Sequence, residues 1–291
     1  MMDKAELRIY TLGTFAVSTD GQVIETFLTR KTALLLVYLA MNPSAHTRET
    51  LAPLLWSETT DAQALKNLRT VLSDLRKNTP DAITITRQSV QITDGVWVDA
   101  SQFEQQSDAF FASGQMAHEE LLALVDLYCG DFLHNIPIRK ADGLETWVDH
   151  QRNRFQKMYE QLLYQVVDHC VTTGDAYTGV TLARRLVMLN PLWEAAQRQL
   201  MQLLMQLDQR GEAQMQYKRL VDLLDEELGT TPAPETVDLY EQIKSGTFQS
   251  NGSTPTSGRI VLPDVPYIAP ETSTSALREM LDKTDCRLVT L

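Results

Sequence analysis

Lys66, Arg69, Thr70, Ser73 and Lys77 recur along residues 62–78 at spacings that share one stripe of an α-helix, with Arg76 at its edge. On a polyanion such a stripe divides its labour. Lysine and arginine neutralise phosphates and reach the acceptor edge of guanine, while threonine and serine hydroxyls bond to bases or phosphate oxygens. The run holds four cations and one acid, Asp74, at the margin of the stripe. Leu65, Leu68, Leu72 and Leu75, with Val71, form the opposite, apolar stripe by which the helix packs. A helix with these two faces suits the major groove of DNA. A charged face alone is usually just solvated, so the surrounding elements must decide.

Those elements are legible. Residues 7–17 read as one extended stretch, and Asp20-Gly21 is a hairpin-type turn signal. A first helix starts at about Arg30 with R-K-T-A-L-L-L-V-Y-L-A-M and is closed by Asn42-Pro43. A second follows Thr47, an N-cap residue type, and runs to Trp56. After the cationic helix come two short β-rich runs, 83–87 and 90–93, with Gln88-Ser89 near the turn. Strands, three helices and a closing hairpin describe a winged helix-turn-helix, in which the third helix enters the groove and the hairpin touches backbone or minor groove. On this reading Arg69, Thr70 and Ser73 contact bases, and Lys66, Arg76 and Lys77 hold phosphates. Arg30 and Lys31 do the same from the start of the first helix, and Arg87 and Gln88 sit on the wing.

Several ordered motifs carry a family resemblance. L-R-I-Y-T-L-G-T-F-A-V, R-K-T-A-L-L-L-V-Y-L-A, E-T-L-A-P-L-L-W and N-L-R-T-V-L-S-D-L-R resemble the N-terminal domain of SARP-type bacterial transcriptional activators, itself similar to the OmpR/PhoB-type DNA-binding domains of response regulators. V-W-V-D-A-S-Q-F-E (residues 96–104) and L-Y-C-G-D-F-L (127–133) resemble the start of the bacterial transcriptional activator domain, or BTAD. E-E-L-G-T-T-P-A-P-E-T-V-D-L-Y-E-Q-I (226–243) resembles its end. The resemblance spans residues 7–243. It implies a DNA-binding transcriptional activator.

Residues 154–243 are helical in pattern and contain a repeat. A-R-R-L-V (183–187) aligns with Y-K-R-L-V (217–221) at an offset of 34 residues, the period of tetratricopeptide (TPR) repeats. Under that offset Gly174 aligns with Asp208, so the second unit lacks a small residue at its first turn. Gly211, three residues on, is the candidate site of a reshaped turn. Stacked helix pairs of this kind share a core and leave a concave surface. Such a surface serves dimerisation or partner coupling; the alternative is a helical spacer with no ligand.

The net charge of −12 is unevenly spread. Residues 1–100 carry 10 Lys and Arg against 11 Asp and Glu, whereas residues 101–250 carry 12 against 22. The near-neutral first part departs from the usual basic footprint of a DNA-binding domain, although local field matters more for docking than total charge. It supports an alternative, a protein-interaction module whose winged helix no longer binds DNA. Cys129, Cys170 and Cys286 are odd in number and widely spaced, which suggests neither a disulfide framework nor a metal knuckle. No apolar run is long enough to span a bilayer and no signal peptide is evident, so a cytoplasmic protein is expected. The five histidines lack zinc-ligand spacing, and no nucleophile elbow or dinucleotide turn occurs, so no enzyme activity is expected.

Residues 245–258 are rich in Gly, Ser, Thr and Pro and read as a linker. The last residues, R-L-V-T-L, resemble the strand that leads into the phosphate-binding loop of STAND-type ATPases in larger SARP-type proteins. No G-x-x-x-x-G-K-[ST] occurs anywhere in these residues. The expected organisation is a winged-helix domain over 1–97, an all-α TPR-like BTAD over 98–244, a linker over 245–266 and the start of a truncated ATPase domain over 267–291. The expected partners are double-stranded DNA, a second copy of the chain on that DNA, and RNA polymerase, with no membrane. No cofactor is expected in these residues; ATP enters only if a longer chain continues past Leu291.

Overall fold

The structure, a computed structural model, describes residues 7–24, 27–114 and 116–248. It is mostly α: a winged helix-turn-helix followed by TPR-like helical pairs. The expected linker and ATPase start lie, from residue 249 onward, outside the described residues. No helix among the described residues is long and apolar enough to cross a membrane.

Residues 7–17 are not one extended stretch. They divide into β1 (Leu7–Tyr10) and β2 (Ala16–Thr19), antiparallel, with Leu7 opposite Thr19 and Tyr10 opposite Ala16. The break centres on Gly13, at φ +100°, where a Cβ would lie 3.2 Å from the carbonyl carbon of Cys129. Interrupting the strand releases the backbone of residues 11–13 to bond elsewhere. The Leu133 N–H donates to the Thr11 carbonyl at 2.7 Å and the Gly13 N–H to the Asp131 carbonyl at 3.1 Å. The turn signal at Asp20-Gly21 makes the next hairpin: both residues have positive φ, 50° and 76°, and deliver the chain to β3 (Gln22–Val23). A fourth strand comes from far along the chain. β7 (Trp97–Val98) pairs parallel with β1, giving the order β3-β2-β1-β7.

Directly after β7, Asp99 ties the helices to this sheet. Its side chain is buried and accepts hydrogen bonds from Thr11 N–H (2.8 Å), Thr11 Oγ1–H (2.6 Å), Leu12 N–H (2.9 Å) and Ala100 N–H (2.7 Å). Burial pushes the carboxyl above its ordinary pKa, and the hydrogen bonds oppose that rise.

The helix-turn-helix follows from its caps. α1 (Arg30–Met41) begins at Thr29, whose hydroxyl accepts from the Thr32 N–H, and ends at Asn42. β4 (His46–Thr47) supplies Thr47 as N-cap of α2 (Arg48–Leu55), its hydroxyl accepting from the Thr50 N–H. α3 (Asp61–Asn78) buries Ala64, Leu68, Val71, Leu72 and Leu75, and its last turn holds Arg76 and Lys77. The wing is β5 (Ile83–Ile85) and β6 (Ser89–Ile92). β4 joins it, so the small sheet runs β4-β6-β5.

α4 (Asp99–Ser113), α5 (His118–Leu127) and the start of α6 (Asp142–Thr173) pack round Phe103, Phe132 and Phe155, all fully buried. The aromatic rings meet tilted or edge-on: Phe103–Tyr128 at 5.6 Å, Phe132–Phe155 at 5.5 Å, Phe132–Trp147 at 5.7 Å between centroids. The chain forms two compact units. The first extends to Gln156 and the second begins at Lys157, so the division falls inside α6.

The second unit continues with α7 (Ala176–Leu189), α8 (Glu194–Gln206), α9 (Arg210–Leu228) and α10 (Pro234–Ser245). α7 and α9 start 34 residues apart, the offset of the sequence repeat. The turn expected to be reshaped at Gly211 is not. Asp208 itself takes the left-handed conformation, φ 58°, matching Gly174 at φ 81°, and Gly211 lies inside α9. Aspartate tolerates that region better than most residues because its short side chain bonds locally. Gly179 on α7 and its 34-residue counterpart Ala213 on α9 are both buried and small. A Cβ on Gly179 would fall 2.6 Å from Leu203 Cδ2 and 2.9 Å from Cys170 Cβ, so the backbone of α7 closes directly on its neighbours. Burial also pushes the Cys170 thiol up to about 12, which leaves it a packing residue.

Asp99→Ala leaves three buried N–H groups without their acceptor and is expected to destabilise the protein by about 3 kcal/mol. A thermal melt followed by circular dichroism measures this, and an unchanged midpoint would refute the role assigned to Asp99. Gly179→Val should overpack the α7 contact and lower stability by roughly 1–3 kcal/mol, despite valine's better helix propensity. A melt equal to that of the unsubstituted protein would mean that Leu203 and Cys170 move aside.

Candidate nucleic-acid interface

α3 is built so that packing decides what it exposes. Its leucine stripe is anchored in the first unit, and the other side is left to solvent: Lys66, Arg69, Thr70, Ser73, Arg76 and Lys77 are all exposed. At a 1.5 Å rise per residue these six span roughly 16 Å of helix, the width of a groove and its flanking phosphates. Asp74, the acid at the margin, is turned to structural use. Its carboxylate accepts from the Leu28 N–H at 2.8 Å and from the Asn78 side-chain amide at 2.9 Å, which fixes the segment before α1 against α3. Gln63 and Asn67 bond to each other at 2.8 Å along the same margin.

The wing is held by short polar bonds. The Thr86 hydroxyl accepts from the Gln88 and Ser89 N–H groups at 3.2 and 2.9 Å, closing the turn, with Arg87 and Gln88 exposed at its tip. Arg48, at the first position of α2, donates from Nη2 to the Thr86 carbonyl at 2.8 Å, so the wing tip is tied to the helix-turn-helix. Sequence reasoning passed over Arg48, since nothing local marks an arginine whose partner carbonyl lies 38 residues on.

Lys31 is placed differently from expectation. Its ammonium does not stand free for a phosphate: it donates to the Leu55 carbonyl at the C-terminal end of α2 and, at 3.1 Å, to the Lys140 carbonyl. It also lies 5.0 Å from the centre of the Trp56 ring. A cation on the last carbonyl of a helix is electrostatically favoured, and the ring face adds to it. Burial lowers the Lys31 pKa, Glu58 opposes the fall and Lys140 adds to it. Arg30, its neighbour, is exposed. The structure therefore brings the α3 residues onto one face and sets Arg87 and Gln88 together at the wing tip. It assigns Lys31 to holding α1, α2 and the 140 turn together.

The four tryptophans are half-buried. Trp97 meets Tyr10 at 5.3 Å, Trp147 meets Tyr38 at 5.1 Å, and Trp193 stacks on Tyr164 at 4.8 Å. These rings pack against aromatic neighbours within the fold.

The family model of the bacterial transcriptional activator domain matches residues 98–244, half of the chain. The chain is 26% identical over 249 residues to Regulatory protein AfsR of Streptomyces coelicolor, covering 83% of this chain and 24% of that protein. Regulatory protein AfsR of Streptomyces griseus is 25% identical over 249 residues, covering 81% and 24%. The chain thus spans about a quarter of the length of these curated relatives. Among solved structures it is similar in fold to Mycobacterium tuberculosis EmbR, solved in complex with a low-affinity phosphopeptide. The TM-score is 0.62 at 19% identity, over 83% of this chain and 66% of that one.

Proposed function

Because the chain belongs to the bacterial transcriptional activator domain family, we propose that it is a transcriptional regulator that reads double-stranded promoter DNA through α3 and acts as an activator. The observation that carries this reading is the exposed face of α3: four cations and two hydroxyls on a helix whose margin acid is already committed to Leu28 and Asn78. Arg69, Thr70 and Ser73 make the contacts that depend on base sequence. Lys66, Arg76, Lys77 and Arg30 hold phosphates, and Arg87 and Gln88 follow the backbone from the wing. The near-neutral N-terminal part implies weak non-specific affinity. A second copy of the chain on adjacent half-sites, coupled through the helical pairs, would supply the remainder. RNA polymerase is the partner through which an activator acts.

Fluorescence anisotropy of the 291-residue chain on a randomised duplex pool tests the reading. Wild-type affinity should fall with salt at a logarithmic slope of about −0.9 for each phosphate neutralised, and Lys66→Ala/Arg69→Ala should abolish most of the binding. Absence of binding at low salt, or binding indifferent to the double substitution, would favour a protein-interaction module, the reading that the near-neutral charge of residues 1–100 supports.

On duplexes selected from that pool, the two classes of residue should separate. Arg69→Ala should lose roughly 1–3 kcal/mol of discrimination between selected and random sites. Lys77→Ala should weaken both alike, and equal behaviour of the two variants would refute the division.

A further inference from the structure

Beside α3 the first unit carries an open groove of about 480 Å³, lined among others by Arg30, Lys31, Trp56, Asn67, Thr70 and Arg139. Three cations line it, and no carboxylate among the described residues does. That is notable in a chain of net charge −12, whose residues 101–250 hold nearly twice as many acids as bases. One wall is α1 and α3. The other is the segment 137–141, which lies within the span matched by the activator-domain family.

This segment is firmly placed. Ile136, just before it, and Ala141, its last residue, are buried. Lys140 has φ 55°, its carbonyl accepts from the Lys31 ammonium at 3.1 Å, and its own ammonium lies 3.9 Å from a Glu58 carboxylate oxygen. The Asp142 N–H donates to the Ser57 hydroxyl at 3.3 Å. The turn at Lys140 is thereby fastened to α1 and to the connection between α2 and α3, while Arg139 stays exposed on the groove wall. Neither Arg30 nor Arg139 has an ion-pair partner among the described residues. Like charges held on one concave surface without an acid raise the local potential and concentrate anions there.

We propose that this groove receives a phosphate of the DNA backbone flanking the site read by α3, with Arg139 and Arg30 as its two cations, so that the activator domain itself supplies part of the DNA interface. The proposal rests on the DNA-binding reading above. Thr70, which borders both the groove and the exposed face of α3, links the phosphate position to the bases. Bidentate guanidinium contacts suit a phosphodiester better than an ammonium would, and both free cations here are arginines.

The test is anisotropy of the full chain on selected and random duplexes across a salt series, comparing wild type, Arg139→Ala, Arg139→Lys and Arg219→Ala. Arg139→Ala should flatten the logarithmic salt slope by about 1 and reduce affinity near 0.1 M salt about five- to tenfold, equally on both duplexes. Arg139→Lys should retain most of the slope, and Arg219→Ala, a cation on α9 of the second unit, should keep the wild-type slope. A wild-type slope in Arg139→Ala would overturn the proposal and leave the α3 reading standing. Tighter binding by Arg139→Ala would overturn it too, showing that segment 137–141 obstructs DNA. Loss of slope equal to that of Arg139→Ala in Arg219→Ala would reduce the effect to net charge, and failure of wild type to bind DNA would end both readings.

Discussion

The Asp99 carboxylate is the contact on which the first unit depends. It lies where the N-terminal sheet ends and the helices begin, and it satisfies donors from Thr11, Leu12 and Ala100 at once. A buried carboxylate without a counter-ion is tolerated only when donors surround it. Here they come from the strand interruption at residues 11–13, whose backbone would otherwise lack partners inside the protein. Breaking β1 from β2 is therefore what opens the slot that Asp99 and residues 131–133 occupy. Gly13 and Gly130 approach so closely, with the Gly13 Cα 3.3 Å from a Cβ built on Gly130, that side chains at these positions would part the two segments. The two activator-domain motifs, V-W-V-D-A and L-Y-C-G-D-F-L, are thus the two sides of one joint round residues 11–13.

The cationic face of α3 rests on a second set of contacts. α3 is oriented by its leucine stripe, by Asp74 on Leu28, and by the placement of α1 and α2, which Lys31 fastens together at the Leu55 carbonyl. One cation is withdrawn from solvent so that the others are presented on a fixed frame. The wing obeys the same logic, since Arg48 ties its turn to α2.

How far the sequence disclosed this depended on range. The three helices, their caps at Thr47 and Asn42, the wing and the 34-residue repeat were legible because each is specified by neighbours a few residues apart. The exposure of the six α3 side chains followed from helical period alone. The short strands β4 and β7 were not legible: two residues carry no alternation pattern, and their partners lie 42–44 and 89 residues away, at Ser89–Val90 and Arg8–Ile9. Lys31 was misjudged because its acceptors, the Leu55 and Lys140 carbonyls, meet only in the folded chain. Asp208 was misjudged because composition suggests glycine for a left-handed turn, whereas the repeat geometry holds the backbone there whatever the side chain.

The parallel pairing of β1 with β7 also sets an order of events during synthesis. β1, β2 and β3 emerge first, but the sheet has no fourth strand until residues 97–98 appear, and residues 11–13 gain their remaining partners only with 131–133. Loop closure over such separations is slow relative to local helix formation. During translation the helix-turn-helix can therefore assemble locally while the edge of β1 stays open, and the nascent chain carries an unpaired strand edge until residues 97–98 have left the ribosome. A ribosome pause, a chaperone or a nonsense mutation falling in that interval would act on a chain whose recognition helix has formed but whose N-terminal sheet is still unclosed.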